Sequence, residues 1–267
     1  MSLMEQTLTT TCKNCETTYE GRFCPNCSQK ADTHRFTLKH FAHEVFHAVT
    51  HTDKGIIFLM KEMFRRPGKV TSEYVGGKRK KYFNPITFLL IMIAVQIFVS
   101  KKTDFFSEFT RSISTWSQQM AAKSRNPEAQ LKMAEEQGKK TEKQVVDVLD
   151  NNKLLTFLFI PVLSILTWLF FKKSGYNYVE NLMLNILVNG ELTLIFLVVA
   201  ILPFLIWPSL VMVWMLLYWL ASWIYTLIAY KQFFKQKSFI TIVKGLALQI
   251  LYVIFAQQFT NLIIEYL

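Results

Sequence analysis

Charge is scarce in this chain. Asp, Glu, Lys and Arg make up 18% of its 267 residues, against about 25% in ordinary soluble domains. Hydrophobic residues reach 51%, with 23 phenylalanines, and they are not interleaved with polar ones as a soluble core requires. Residues 1–81 are polar and basic, 82–100 apolar, 101–153 charged, and most of 154–267 apolar. That segregation excludes a single soluble globule. Met1 is not followed by a basic start, a short apolar stretch and a small-residue cleavage site, so no cleaved signal peptide is expected and the N-terminus should stay in the cytosol. Also missing are a phosphate loop, a dinucleotide fingerprint and a nucleophile motif. No residue is therefore named as catalytic, and a non-enzymatic protein is the leading expectation. The formal charge of +11, in a chain with long apolar runs, points to cytoplasmic loops and anionic lipid rather than to nucleic acid.

What is present is a series of apolar runs. A helix needs about 20 mainly apolar residues to cross about 30 Å of hydrocarbon. Five segments qualify, at 83–100, 154–171, 181–203, 208–230 and 240–260. The fold class read from them is an all-α polytopic membrane protein of about five transmembrane helices, with a small N-terminal four-cysteine zinc knuckle. Pro203 and Pro208 bound the link between the third and fourth spans, which forms either a tight hairpin or a re-entrant pair. Basic residues crowd before the first span, at Lys172 and Lys173, and at Lys231, Lys235 and Lys237. Five spans put all three groups on one side, predicting the N-terminus inside and the C-terminus outside. The chain then divides into a knuckle at 1–31, amphipathic or interfacial helices with a basic stretch at 32–82, the first span at 83–100, an outer charged segment at 101–153, and four spans at 154–267. The outer segment is expected to be the most mobile part.

All four cysteines lie within sixteen residues, as Cys12-Lys-Asn-Cys15 and Cys24-Pro-Asn-Cys27. A Cys-x-x-Cys turn puts two thiolates on one side of a tight loop, and two such turns supply the four-sulfur shell that Zn²⁺ takes in closed structural sites. One structural Zn²⁺ per chain is expected, supplying on the order of 10 kcal/mol of folding free energy to a segment with almost no core. Disulfides or a redox pair are the competing reading, which a reducing cytosol disfavours. Gly21 is placed for the sharp reversal between the turns.

The two cysteine turns, Gly21-Arg-Phe-Cys-Pro-Asn-Cys27, Asp53-Lys-Gly55, Arg66-Pro-Gly68 and Gly77-Lys-Arg-Lys-Lys-Tyr-Phe-Asn-Pro85 together resemble an uncharacterised family of bacterial zinc-ribbon membrane proteins. The resemblance covers mainly residues 12–100. It implies a bacterial inner membrane and brings no activity. In span count, and in a Pro-Gly ahead of the first span, the layout is similar to that of five-span Yip1-type membrane proteins.

Three further features are candidates for function. His40, His43, His47 and His51 line one helix face with Glu44, a second metal site, a proton-sensitive switch, or simply a polar face. Residues 56–64 are apolar but too short to span and read as an interfacial helix. Arg65, Arg66, Lys69, Lys78, Arg79, Lys80 and Lys81 flank it, where each charge gains roughly 1 kcal/mol from an anionic leaflet. In the third span Asn177, Asn181, Asn185 and Asn189 recur every four residues and lead to Glu191, near the bilayer midplane. The stripe is either helix-packing glue or a binding pathway. Gln96, Lys244 and Gln249 are the candidate partners of Glu191, with Lys244 more naturally snorkelling to the headgroups.

Three function classes follow. The first is a non-enzymatic membrane protein whose cytosolic zinc module docks a protein partner or supports assembly. The second is a transporter or lipid-handling protein using the third span, and the third a metal-dependent membrane enzyme on the histidine face.

Overall fold

A computed structural model describes residues 9–33, 37, 55–123, 131–132 and 155–266. It is mostly helical, with one two-stranded sheet near the N-terminus. That sheet pairs β1 (Thr10–Thr11) with β2 (Thr18–Tyr19) in antiparallel register, Thr10 opposite Tyr19. Helices α1 (Ile56–Arg65) and α2 (Pro67–Val75) meet at a sharp corner. They are followed by α3 (Pro85–Thr103), α4 (Phe105–Ala122) and α5 (Leu155–Phe170). Then come α6 (Tyr178–Ile206), which contains a π-helical turn at Leu197–Ile201, α7 (Val211–Phe234) and α8 (Ser238–Tyr266).

Four stretches among the described residues are long and apolar enough to cross a membrane: α3, α6, Pro208–Phe234 and Ser238–Phe255. The second expected span appears as α5, an apolar helix of 16 residues with Pro161 inside it, which is shorter than the other four. The starts of α3 and α6 follow from their caps. Asn84 Oδ1 accepts from the Ile86 and Thr87 N–H groups ahead of Pro85 at the first helical position. Asn177 and Glu180 form a reciprocal capping box at the start of α6, so the first asparagine of the stripe is a helix start signal.

Helices α3 and α6 run in the same direction. At one end Ile86 and Leu89 share a cluster with Leu182 and Ile186; at the other Phe105 packs edge-on to Phe196 and Phe204. Asp104, in a left-handed conformation, turns the chain sharply from α3 into α4. Phe105 is fully buried there, so the outer segment, expected to be mobile, begins as a helix seated on the bundle. The opposite end gathers the basic segments. Phe171, ahead of Lys172, stacks on Phe234 at 3.9 Å between ring centroids, and Tyr176 stacks on Phe233 at 4.0 Å. Gly68 meets the same stretch of α7, which brings α1 and α2 to that end too.

The expected interfacial helix is therefore α1, and its inner face turns to protein. Leu59 and Met63 are fully buried in the main cluster with Val70 and Tyr74 of α2, while Ile57, Phe58 and Phe64 face outward. At the corner the Met63 carbonyl accepts from Tyr225 Oη at 3.1 Å, and the Gly68 N–H donates to Gln232 Oε1 at 3.1 Å. A Cβ at Gly68 would lie 2.2 Å from the Ala229 carbonyl oxygen, an approach only glycine permits. Gly68→Ala should lower stability by about 3 kcal/mol through overpacking, whereas a Cβ at Gly55 meets nothing closer than 3.7 Å. Thermal unfolding of the detergent-solubilised variants checks this: a marked loss for Gly68→Ala beside a near-neutral Gly55→Ala is expected.

Candidate metal centre and its docking onto the bundle

The two cysteine turns have the same backbone. In the first, the Cys12 N–H donates to the Thr17 carbonyl and the Glu16 N–H to the Cys12 carbonyl, both at 2.9 Å. In the second, the Cys24 N–H donates to the Gln29 carbonyl at 2.9 Å and the Ser28 N–H to the Cys24 carbonyl at 2.8 Å. Glu16 and Ser28, at equivalent positions, both have positive φ, and Gly21 between the turns has φ +107. Each turn thus presents its two sulfurs to the other. Cys12 and Cys27 Sγ lie 3.5 Å apart, as do Cys15 and Cys24 Sγ, and all four fall within 4.8 Å of one another. These separations are far beyond a bonded S–S of about 2.05 Å. They match the edge of about 3.8 Å that a tetrahedron with Zn–S of about 2.3 Å would have. The hydroxyl and backbone N–H of Thr17 lower the Cys15 thiol below its ordinary range. Four cysteines with this geometry can hold a metal ion, and an all-sulfur shell fits a closed structural site.

The cysteine module rests on the connector between α2 and α3. Gly77, at φ +113, lies where a Cβ would come 2.8 Å from the Lys13 side chain and 3.2 Å from Thr33. Lys13 Nζ in turn donates to the Thr33 carbonyl at 2.7 Å. The Lys80 N–H donates to Oε1 of Gln29 at 3.3 Å, and Gln29 is buried. Glycine at 77 thus serves the contact with the module.

Beneath this seam lies an ionic cluster that ties α1, α2 and the connector together. Arg66 bonds Glu62 through Nε at 2.7 Å and through Nη2, and reaches Glu73 at 3.4 Å. Glu73 also accepts from Lys81 Nζ at 2.8 Å and Tyr82 Oη at 2.6 Å. Burial alone would raise the Glu73 carboxyl, but the Lys81 and Tyr82 hydrogen bonds and the charges of Lys81 and Arg66 outweigh it and hold it at about 2. Burial, aided by Glu73, pushes the Tyr82 phenol up to about 12. Of the residues expected at anionic lipid, Arg66 and Lys81 are thus engaged within the protein, Arg65, Lys69 and Lys80 are exposed, and Lys78 and Arg79 are half-buried. Glu73 was not visible as a centre because Lys81 and Tyr82 lie in the connector beyond the end of α2, where no helical periodicity relates them to it.

The asparagine stripe is mostly internal wiring. Asn185 Nδ2 donates to Ser164 Oγ at 3.0 Å and Thr167 Oγ1 at 3.2 Å, and its Oδ1 accepts from Tyr230 Oη at 3.3 Å. One fully buried side chain thereby joins α5, α6 and α7. Asn181 and Asn189 donate back to the Asn177 and Asn185 carbonyls. Ser164 and Thr167, an i,i+3 hydroxyl pair in an apolar run, were the readable sign of that partner helix. Glu191 differs, being 0% exposed with neither carboxylate oxygen hydrogen-bonded. None of its expected partners reaches it. Lys244 Nζ donates to the Phe170 carbonyl at 2.8 Å, and Gln249 to the Trp223 carbonyl at 3.4 Å. His40, His43, Glu44, His47 and His51 lie outside the described residues.

A family described as "Protein of unknown function (DUF3667)" matches at residues 53–97, which take in α1, α2, the connector and most of α3. No curated protein and no solved structure matches the chain. The matched stretch contains the Gly68 corner, the Glu73 cluster and the connector that carries the cysteine module, but not the cysteines themselves.

Two outcomes are expected. Elemental analysis of the purified chain should give one metal ion per chain, lost in Cys12→Ala/Cys15→Ala. The depressed Glu73 carboxyl stabilises the fold fully above its ordinary value of 4.5. That contribution falls away as the pH drops from there towards 2, so the stability advantage of wild type over Glu73→Gln should shrink over that window in acid titrations of the melting temperature.

Proposed function

We propose that this chain is a non-enzymatic integral membrane protein in which zinc, held by Cys12, Cys15, Cys24 and Cys27, builds a cytosolic assembly module. The module's task is to clamp the connector at 76–84, and through it the α1–α2 pair, onto the transmembrane bundle. The observation that carries this reading is the seam of Lys13 and Thr33 on Gly77, with Gln29 on the Lys80 amide. A short segment with a core of little more than Cys12, Tyr19 and Cys24 folds only with its metal. The clamp is then present only in the metal-loaded chain. Phe23, 61% exposed between the two turns, offers the same module an apolar contact for a cytosolic protein partner.

The proposed setting is a bacterial plasma membrane with the module inside and the C-terminus outside. Support comes from the gathering of the basic segments at one end of the bundle, since Lys and Arg collect on the cytoplasmic side of membrane proteins. Anionic headgroups there would meet the exposed Arg65, Lys69 and Lys80. Transport along the asparagine stripe is the weaker reading, because Asn185 is saturated by α5 and α7.

Replacing Cys12 and Cys15 with serine tests the clamp in membranes. The variant should still insert and resist extraction with carbonate, while trypsin cuts rapidly at the basic run Lys78–Lys81. Unchanged protection of that run, or failure to insert at all, contradicts the assembly role.

A further inference from the structure

One groove among the described residues is unlike its surroundings. It has a volume of about 380 Å³ and lies between α1 and α6. Ile57, Met60, Lys61, Phe64 and Arg65 form its α1 wall, at the i, i+3, i+4, i+7 and i+8 spacing of a single helix face. Across from them stand Leu194 and Glu191 of α6. The walls are apolar carbon, Lys61 and Arg65 bring two exposed cations one turn apart, and Glu191 is a fully buried carboxyl with no hydrogen-bond partner.

We propose that this groove is a binding site for a phospholipid whose head carries both a phosphate and a primary ammonium. Each part of such a molecule meets its complement. The phosphate lies against Lys61 and Arg65, whose flexible cationic side chains suit a headgroup oxygen. An acyl chain lies along Ile57, Phe64 and Leu194. The ammonium donates its N–H groups to Glu191, supplying the partner that a buried carboxyl needs in an environment without water. A purely anionic lipid would leave Glu191 without that partner, and a quaternary ammonium has no N–H to donate. The inference is independent of the zinc clamp and takes up lipid handling at one site.

The test uses the full chain in detergent, with native mass spectrometry against phosphatidylethanolamine, phosphatidylcholine and phosphatidylglycerol of identical acyl chains. Wild type should retain phosphatidylethanolamine about tenfold more tightly than phosphatidylcholine, the worth of one hydrogen bond to a charged group. Glu191→Gln, which keeps the shape, should bring the two within about twofold, while Lys61→Ala/Arg65→Ala weakens all three lipids together. Leu194→Trp keeps Glu191 and fills the groove, so it must also lose the preference. Equal retention of phosphatidylethanolamine and phosphatidylcholine by wild type overturns the proposal. So does a preference that survives either Glu191→Gln or Leu194→Trp, or binding of phosphatidylglycerol alone, which marks simple adsorption to a basic surface.

Discussion

The basic end of this molecule depends on how closely the corner between α1 and α2 approaches α7. Between helices in lipid, burying apolar side chains gives little preference for one neighbour over another, because the acyl chains are equally apolar. Close backbone packing and directed polar contacts decide instead. At the corner both act together: Gly68 lets the backbones approach to a distance no other residue permits, and Tyr225 and Gln232 of α7 satisfy the backbone groups that the corner leaves open. The same two devices recur deeper in the bundle, where Gly190 admits the ring of Phe88 and Asn185 joins three helices.

From the corner outward the contacts form a chain of dependence. Arg66, just before the corner, reaches Glu73 on α2, and Glu73 draws in Lys81 and Tyr82 from the connector. The connector thereby turns Gly77 and the Lys80 amide towards the cysteine module. A module folded by its metal can then stabilise a helix pair it scarcely touches, because the rigid connector carries the constraint. Seating α1 also creates the groove against α6, so the proposed lipid site and the proposed clamp share a wall while using different residues.

Much of this architecture was legible in the residues. Apolar runs marked the long helices, and the paired Cys-x-x-Cys turns marked the sulfur cluster. The position of α1 was not legible, since an amphipathic helix of ten residues looks the same whether its inner face meets headgroups or protein. Asn177 joined the polar stripe by spacing, yet it acts as a cap because Glu180 completes its box. Glu191 stood out for its burial cost, but its neighbours could not be guessed, because they come from α1, more than a hundred positions earlier. The Glu73 cluster escaped for a similar reason: the turn of the connector after α2, rather than helical periodicity, brings Lys81 and Tyr82 back to Glu73.

If metal at the cysteines holds the α1–α2 pair in place, the coupling is measurable in the backbone itself. Hydrogen–deuterium exchange of the detergent-solubilised chain, with and without a zinc chelator, reads it most directly. Removing the metal should accelerate exchange across residues 67–84 while the interior amides of α6 and α7 keep their protection. Identical exchange over 67–84 in the two samples would contradict the clamp.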